Sequence, residues 1–145
     1  MTQRHRRTCD ERGGAAVEVA MLMPALLLMI GLLVVGGRVW FARTTVIEAA
    51  QTSARAASLA RSSGEAASAG REAGRQSLDT AGLTCATSSV SIDTGAFGVA
   101  VGTPATVTST VRCRVNFADL GIPGLPGGRT LTGQGAAALD TYRAR

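Results

Sequence analysis

Hydrophobic residues are spaced in three different ways along the chain, and the first is an unbroken run. Residues 19–37 contain 19 positions without a charged side chain. As an α-helix this run would be roughly 28 Å long, close to the thickness of the hydrocarbon core of a bilayer. A core helix in a soluble domain this small needs a polar face, which the run lacks, so that alternative is weaker. We therefore predict a transmembrane helix at about residues 19–37.

The second spacing follows directly, in an alanine-rich stretch at residues 38–61. Small side chains recur there every three or four positions, which is the period of one helix face. The stripe consists of Val35, Val39, Ala42, Val46, Ala49, Ser53, Ala57 and Ala60. We predict a helix over residues 14–61 whose small face packs closely against a helix or a sheet. The alternative is an alanine-rich stalk without a packing partner.

A shorter helix is predicted at residues 65–78, after the Ser-Ser-Gly interruption at residues 62–64. Gly82 marks the next break. The inward face of this helix is predicted to consist of Ala66, Ala69, Ala73 and Leu78.

The third spacing alternates with a period of two, which indicates β-strands. Residues 106–117 alternate strictly, and residues 129–139 form a weaker strand after a turn-rich loop at 121–128. Residues 83–93 predict a further strand, in which a change of phase at Ser88-Ser89 suggests a β-bulge. The predicted fold class is α+β: a long membrane helix, a second short helix, and a small three-stranded antiparallel sheet with one disulfide.

Three cysteines bear on topology: Cys9 precedes the apolar run, whereas Cys85 and Cys113 follow it. If the chain is cut between Cys9 and the run, the mature protein keeps one pair, which persists only on the oxidising side of a membrane. Pairing Cys85 with Cys113 would also place them opposite each other on two antiparallel strands. The basic N-terminus favours a cytoplasmic location, although arginines beyond the run weaken that signal. We predict a single-pass protein with residues 62–145 outside the cell membrane.

Charge and composition argue against several classes of function. The net charge is +5, but every basic residue is a scattered arginine and only 3% of residues are aromatic, which disfavours nucleic-acid binding. The single histidine, His5, lies in the N-terminal segment, and no phosphate loop, metal-ligand cluster or Ser/His/Asp set is visible. We expect no enzyme activity, cofactor, metal or small-molecule substrate.

The candidate functional residues lie just before the apolar run, in the stretch Arg-Gly-Gly-Ala-Ala-Val-Glu-Val at residues 12–19. The Glu18 carboxylate lies at the edge of a hydrocarbon run, where a charge is unfavourable unless it is paired. Gly13 and Gly14 would give a protease an unhindered backbone at the membrane face. Alternatively, a helix starts at Gly14 and Glu18 is favoured only by the helix dipole. Spacing alone supports both interpretations equally.

The same stretch resembles the processing signal of type IV prepilins, with glycine at −1, a small residue at +1 and glutamate at +5. A cut after Gly13 makes Gly14 the first residue and Glu18 the fifth. More narrowly, ERGGAAVEVAMLMPALLL resembles the TadE-like family, including Glu18, Ala20 and Pro24. The alanine-rich helix, Cys85, VGTPATVTSTVRC and the GLPG loop are similar to actinobacterial members. Val19 departs from the tyrosine that follows the glutamate in major Flp pilins.

The resemblance implies a minor pilin or pseudopilin of a tight-adherence (Tad/Flp) pilus. Residues 1–13 would be a cytoplasmic leader removed by a prepilin peptidase, and residues 14–61 the membrane and juxtamembrane helix. Implied partners are the membrane, other pilin subunits, a secretion ATPase and platform proteins. The alternative function is an unprocessed, membrane-anchored binding module at the cell surface.

Overall fold

A computed structural model describes residues 12–119 and 126–140, with side chains from Val17 onward. This part of the chain forms the predicted α+β fold. The elements are α1 (Arg12–Ser58), α2 (Ser63–Thr80), β1 (Thr87–Asp93), a short 3-10 helix (Gly95–Gly98), β2 (Ala105–Asn116) and β3 (Gly128–Leu139). Cys9, nearly all of the predicted leader and most of the predicted loop at 121–128 lie outside the described residues.

The chain divides into two compact units, residues 1–36 and residues 37–145. The described part of the first unit is a stretch of α1 whose large apolar side chains, from Val17 to Val34, are exposed to the surroundings. By length and composition, the helical segment Val17–Ser58 can cross a membrane. The most apolar window of that segment has no buried residue, which argues against a core helix of a soluble protein. This unit fits a single-pass membrane protein.

The second unit is built on a three-stranded antiparallel sheet in the order β1-β2-β3. The central strand β2 shows the alternation that the sequence predicts, with one face buried and the other exposed. Its buried side chains are Val107, Ser109, Val111, Cys113 and Val115. Strand β3 pairs with all twelve residues of β2, from Ala105↔Leu139 to Asn116↔Gly128.

The part of α1 beyond Gly37 packs against this sheet through its small face, so the alternative of an unpartnered stalk is wrong. Val46 and Ala50 are buried, and their carbonyl groups lie directly over Gly133 and Gly135 of β3. A methyl group at either glycine would overlap helix backbone atoms. Besides the predicted stripe from Ala42 to Ala60, the buried face includes Thr45, Ala50 and Ala54.

Helix α2 also covers the sheet, but its buried face differs from the predicted one. Ala66 and Leu78 are buried as predicted, whereas Gly70 and Gly74 take the inward positions expected for Ala69 and Ala73. The reason is a close approach: an added Cβ at Gly70 would lie 2.8 Å from Ile92 Cδ1 and 3.1 Å from the Ser53 carbonyl oxygen. Counting apolar side chains misses such positions, because glycine has none.

Strand β1 starts four residues later than predicted, and the predicted bulge is wrong. Thr87–Asp93 pairs with β2 without interruption, and Val90 lies opposite Val111. The change of phase along the sequence therefore marks the start of the strand. Leu83 and Cys85 pack against the core from the connection between α2 and β1.

The Cys85–Cys113 disulfide forms, with an S–S distance of 2.00 Å and a Cα–Cα distance of 5.4 Å. The predicted strand register, with these two residues opposite each other, is wrong by three positions because Cys113 pairs with Ser88. Cys113 lies in the core face of β2, and Cys85 reaches it from outside the sheet. The disulfide therefore ties the α2–β1 connection to the central strand.

Candidate functional site

The Gly13–Gly14 peptide bond lies in the first turn of α1, which begins at Arg12 and not at the predicted Gly14. Two adjacent glycines weaken this turn, because each is roughly 1 kcal/mol less favourable in a helix interior than alanine. The first amide groups of a helix also lack a partner within the helix. The first turn can therefore unwind at small cost.

Glu18 lies on the same helix, about one and a quarter turns after this bond. Its side chain is exposed, and it makes no hydrogen bond or ion pair with the residues whose side chains the structure describes. Its position is also beyond the first turn, where the helix dipole acts most strongly on a carboxylate. The dipole alone is therefore a weak reason for a glutamate at this position.

The apolar surface that follows Glu18 surrounds the helix on all sides. The exposed large side chains between the glutamate and Gly36 are Val19, Met21, Leu22, Met23, Leu26, Leu27, Leu28, Met29, Ile30, Leu32, Leu33 and Val34. Burying such a surface in lipid or among other apolar helices is strongly favourable. Among the side chains that the structure describes, Glu18 thus has no partner, and its carboxylate lies at the edge of an apolar surface that is unfavourable in water.

One contact in the second unit was not visible in the sequence. Ser53 Oγ donates a hydrogen bond to the Gly70 carbonyl oxygen at 2.6 Å, and Ser109 Oγ donates to Ser53 Oγ at 2.9 Å. Both hydroxyl groups are buried, so this chain joins α2, α1 and β2 inside the core. Two glycine pairs in the sequence could have indicated this contact: Gly70 and Gly74 in α2, and Gly133 and Gly135 in β3. They permit the close packing of the elements around the buried hydroxyl groups.

No group of three or more His, Cys, Asp or Glu side chains suited to a metal ion occurs within residues 12–119 and 126–140. The acidic side chains of the second unit lie at strand ends and on the exposed faces of the helices, for example Asp93 and Glu72. Among the described residues, the start of α1 is therefore the best candidate for a functional site.

Comparison with known protein families gives a match that falls on this segment. The family model described as TadE-like protein matches residues 13–55, which confirms the resemblance over that stretch. The match includes Gly13, Gly14 and Glu18 and ends before α2. It supports a protein associated with a Tad pilus system. No curated protein and no solved structure matches the chain.

Proposed function

From the TadE-like segment at residues 13–55, we propose that the chain is a minor pilin or pseudopilin of a Tad-type pilus. The observation that carries this proposal is that the matched segment contains the stretch of α1 at residues 19–37, which is apolar on every side. Such a helix would serve a pilin both before and after assembly. It anchors the precursor in the membrane, and it later packs among the apolar helices of other subunits.

Processing would occur at the Gly13–Gly14 bond on the cytoplasmic face of the membrane. The leader arginines favour that side, and the weak first turn of α1 makes the bond accessible. Cleavage by a prepilin peptidase removes residues 1–13 and creates a new α-amino group on Gly14. Cys9 leaves with the leader, so the mature chain retains the Cys85–Cys113 pair.

Glu18 would act after cleavage, during assembly. An ammonium group and a carboxylate moving from water or headgroups into a helical bundle are costly unless they pair. The Gly14 amine of one subunit and the Glu18 carboxylate of its neighbour provide such a pair. The absence of a described partner for Glu18 within its own chain supports a partner on another subunit.

The domain formed by residues 37–145 would lie outside the cell membrane, where a disulfide persists. A folded domain of this size, together with Val19 after the glutamate, favours a minor subunit over the main fibre subunit. We further propose that the protein works with a secretion ATPase, platform proteins and other pilin subunits.

Gly13→Val tests the processing step, because a β-branched residue at this position obstructs the protease and leaves the core of the domain untouched. We expect wild-type protein from the cell envelope to begin at Gly14, and the variant to retain Met1. Gly31→Val is the matched control: it makes the same substitution in the same helix, at a glycine with no neighbouring atom within 4 Å. The control should be cleaved normally.

Intact-mass measurement distinguishes the two functions considered. Wild-type protein that keeps residues 1–13 in cells with an active prepilin peptidase would contradict the pilin proposal. The anchored binding module would then be the better account, because the domain beyond Gly37 has its own core and disulfide.

A further inference from the structure

The end of the second unit at which α1 enters it carries exposed aromatic and basic side chains. We call this surface the basal end and define it by Arg38, Trp40, Phe41, Arg43, Arg114 and Arg129. All six side chains are exposed, and all six residues belong to the compact unit of residues 37–145. The apolar run ends at Gly37, immediately before the first of them.

The packing of α1 on β3 places these residues at one end. Val46 lies over Gly133 and Ala50 lies over Gly135. A step of four residues along α1 therefore matches a step of two residues along β3. The two steps are nearly equal in length, about 6 Å in the helix and 6.6 Å in the strand. The same pairing, extended toward the start of α1 and of β3, places Arg129 at the level of Arg38. Arg114 lies on the neighbouring rung, opposite Thr130.

The aromatic pair faces away from the core. Val39 and Ala42 on either side contact the core, whereas Trp40 is 70% exposed and Phe41 is 55% exposed. Trp40 is the only tryptophan in the chain. Large exposed aromatic side chains next to an apolar span are typical of the membrane interface, where the ring is buried and the indole N–H stays hydrated.

Charge is distributed unequally between the two ends of this unit. None of the four basal arginines has an ion-pair or side-chain hydrogen-bond partner among residues 12–119 and 126–140, and the acids nearest to them in the chain, Glu48 and Asp119, are each five residues from the closest arginine. Asp79, near the end of α2, also lies toward the basal end, one turn after Arg75. At the opposite end of the described part of this unit, by contrast, the acids Glu65, Asp93 and Asp140 accompany Arg55 and Arg61.

We propose that the basal end is a contact surface for anionic phospholipid headgroups. Trp40 and Phe41 lie in the interface and fix the depth of the helix, while the guanidinium groups bind lipid phosphates. Arginine suits this role because its planar donors bind phosphate oxygens in pairs. Each basic residue near an anionic surface adds to the electrostatic attraction, so four give a preference for anionic lipid. The proposal requires membrane anchoring by α1 but not a role in a pilus.

The test uses full-length protein reconstituted into vesicles of phosphatidylcholine alone, or of phosphatidylcholine with phosphatidylglycerol. Because Trp40 is the only tryptophan, its fluorescence reports on this surface without labelling. We expect blue-shifted emission and stronger quenching by lipids brominated near the headgroup than by lipids brominated near the chain end. Emission at the wavelength of free tryptophan, with no quenching by either lipid, would overturn the aromatic part of the proposal.

Amide hydrogen exchange tests the arginines. Exchange near Arg114 and Arg129 should slow in vesicles containing phosphatidylglycerol, and high salt should remove the effect. The double variant Arg114→Gln/Arg129→Gln should lose this slowing, whereas Arg61→Gln/Arg71→Gln, away from the basal end, should keep it. Equal exchange in both kinds of vesicle for the wild-type protein would overturn the charge part. Neither result depends on cleavage or on filament formation.

Discussion

Replacing Gly135 by alanine tests the close packing of α1 on β3. The added methyl group would overlap the carbonyl group of Ala50 and the amide nitrogen of Gln51, which are backbone atoms of α1. Overpacking a core typically costs 1–3 kcal/mol, and a backbone neighbour cannot rotate away, so we expect a loss of about 3 kcal/mol. For a domain of roughly 100 residues this corresponds to a fall in melting temperature of about 10–20 °C.

The assay is thermal unfolding of the full-length protein in detergent micelles, followed by circular dichroism under non-reducing conditions. Gly64→Ala is the matched control, because no atom lies within 4 Å of an added Cβ there and alanine favours the helix. Ala50→Gly should not rescue Gly135→Ala, because the overlapping atoms belong to the backbone. If Gly135→Ala melts within a few degrees of Gly64→Ala, α1 does not lie against β3 as described.

Three further perturbations follow from the same packing. Gly74→Ala should be milder than Gly135→Ala and should couple to Val90→Ala in a double-mutant cycle, because its closest neighbours are the Val90 methyl groups at 3.2 Å. Ser53→Ala should cost about 1–3 kcal/mol by leaving the buried Ser109 hydroxyl without its acceptor, and Ser53→Ala/Ser109→Ala should cost less than the sum of the single changes. Cys85→Ser should leave membrane insertion intact and lower the free energy of unfolding by about 3.5 kcal/mol from loop closure, and mass spectrometry of alkylated wild-type protein should find both thiols protected until reduction.

The elements with strong periodicity were predictable from the sequence. Strand β2 has valine at three of its five buried positions, and its alternation continues for the full length of the strand. The small face of α1 was equally clear, because alanine at helical spacing has few other interpretations. In both elements, the residues that share a phase in the sequence pattern are the ones that the structure buries.

Predictions failed where tertiary packing decided the outcome. In α2, Gly70 and Gly74 are buried because Ile92, Val90 and Ser53 approach them closely, which no local pattern records. At the start of β1, Cys85 and Leu83 are held by the core and the disulfide, and their alternation imitates a strand. Residue spacing identified Gly13, Gly14 and Glu18 as candidates, but their functional roles stay predictions because those roles depend on a protease and on other subunits.

The measurement that tests the proposed function most directly is the recovery of Glu18→Gln in sheared surface filaments, detected by immunogold labelling. This change keeps the shape of the side chain and removes its charge, so cleavage after Gly13 and membrane insertion should be normal. Glu48→Gln is the matched control, because Glu48 is an exposed glutamate on the same helix within the folded domain. We predict that Glu48→Gln enters filaments at the wild-type level and that Glu18→Gln is absent from them, because the Gly14 ammonium group of the neighbouring subunit would be left unpaired. Recovery of Glu18→Gln at the wild-type level would contradict the assembly role of Glu18, whereas absence of the wild-type protein itself from filaments would favour an anchored binding module.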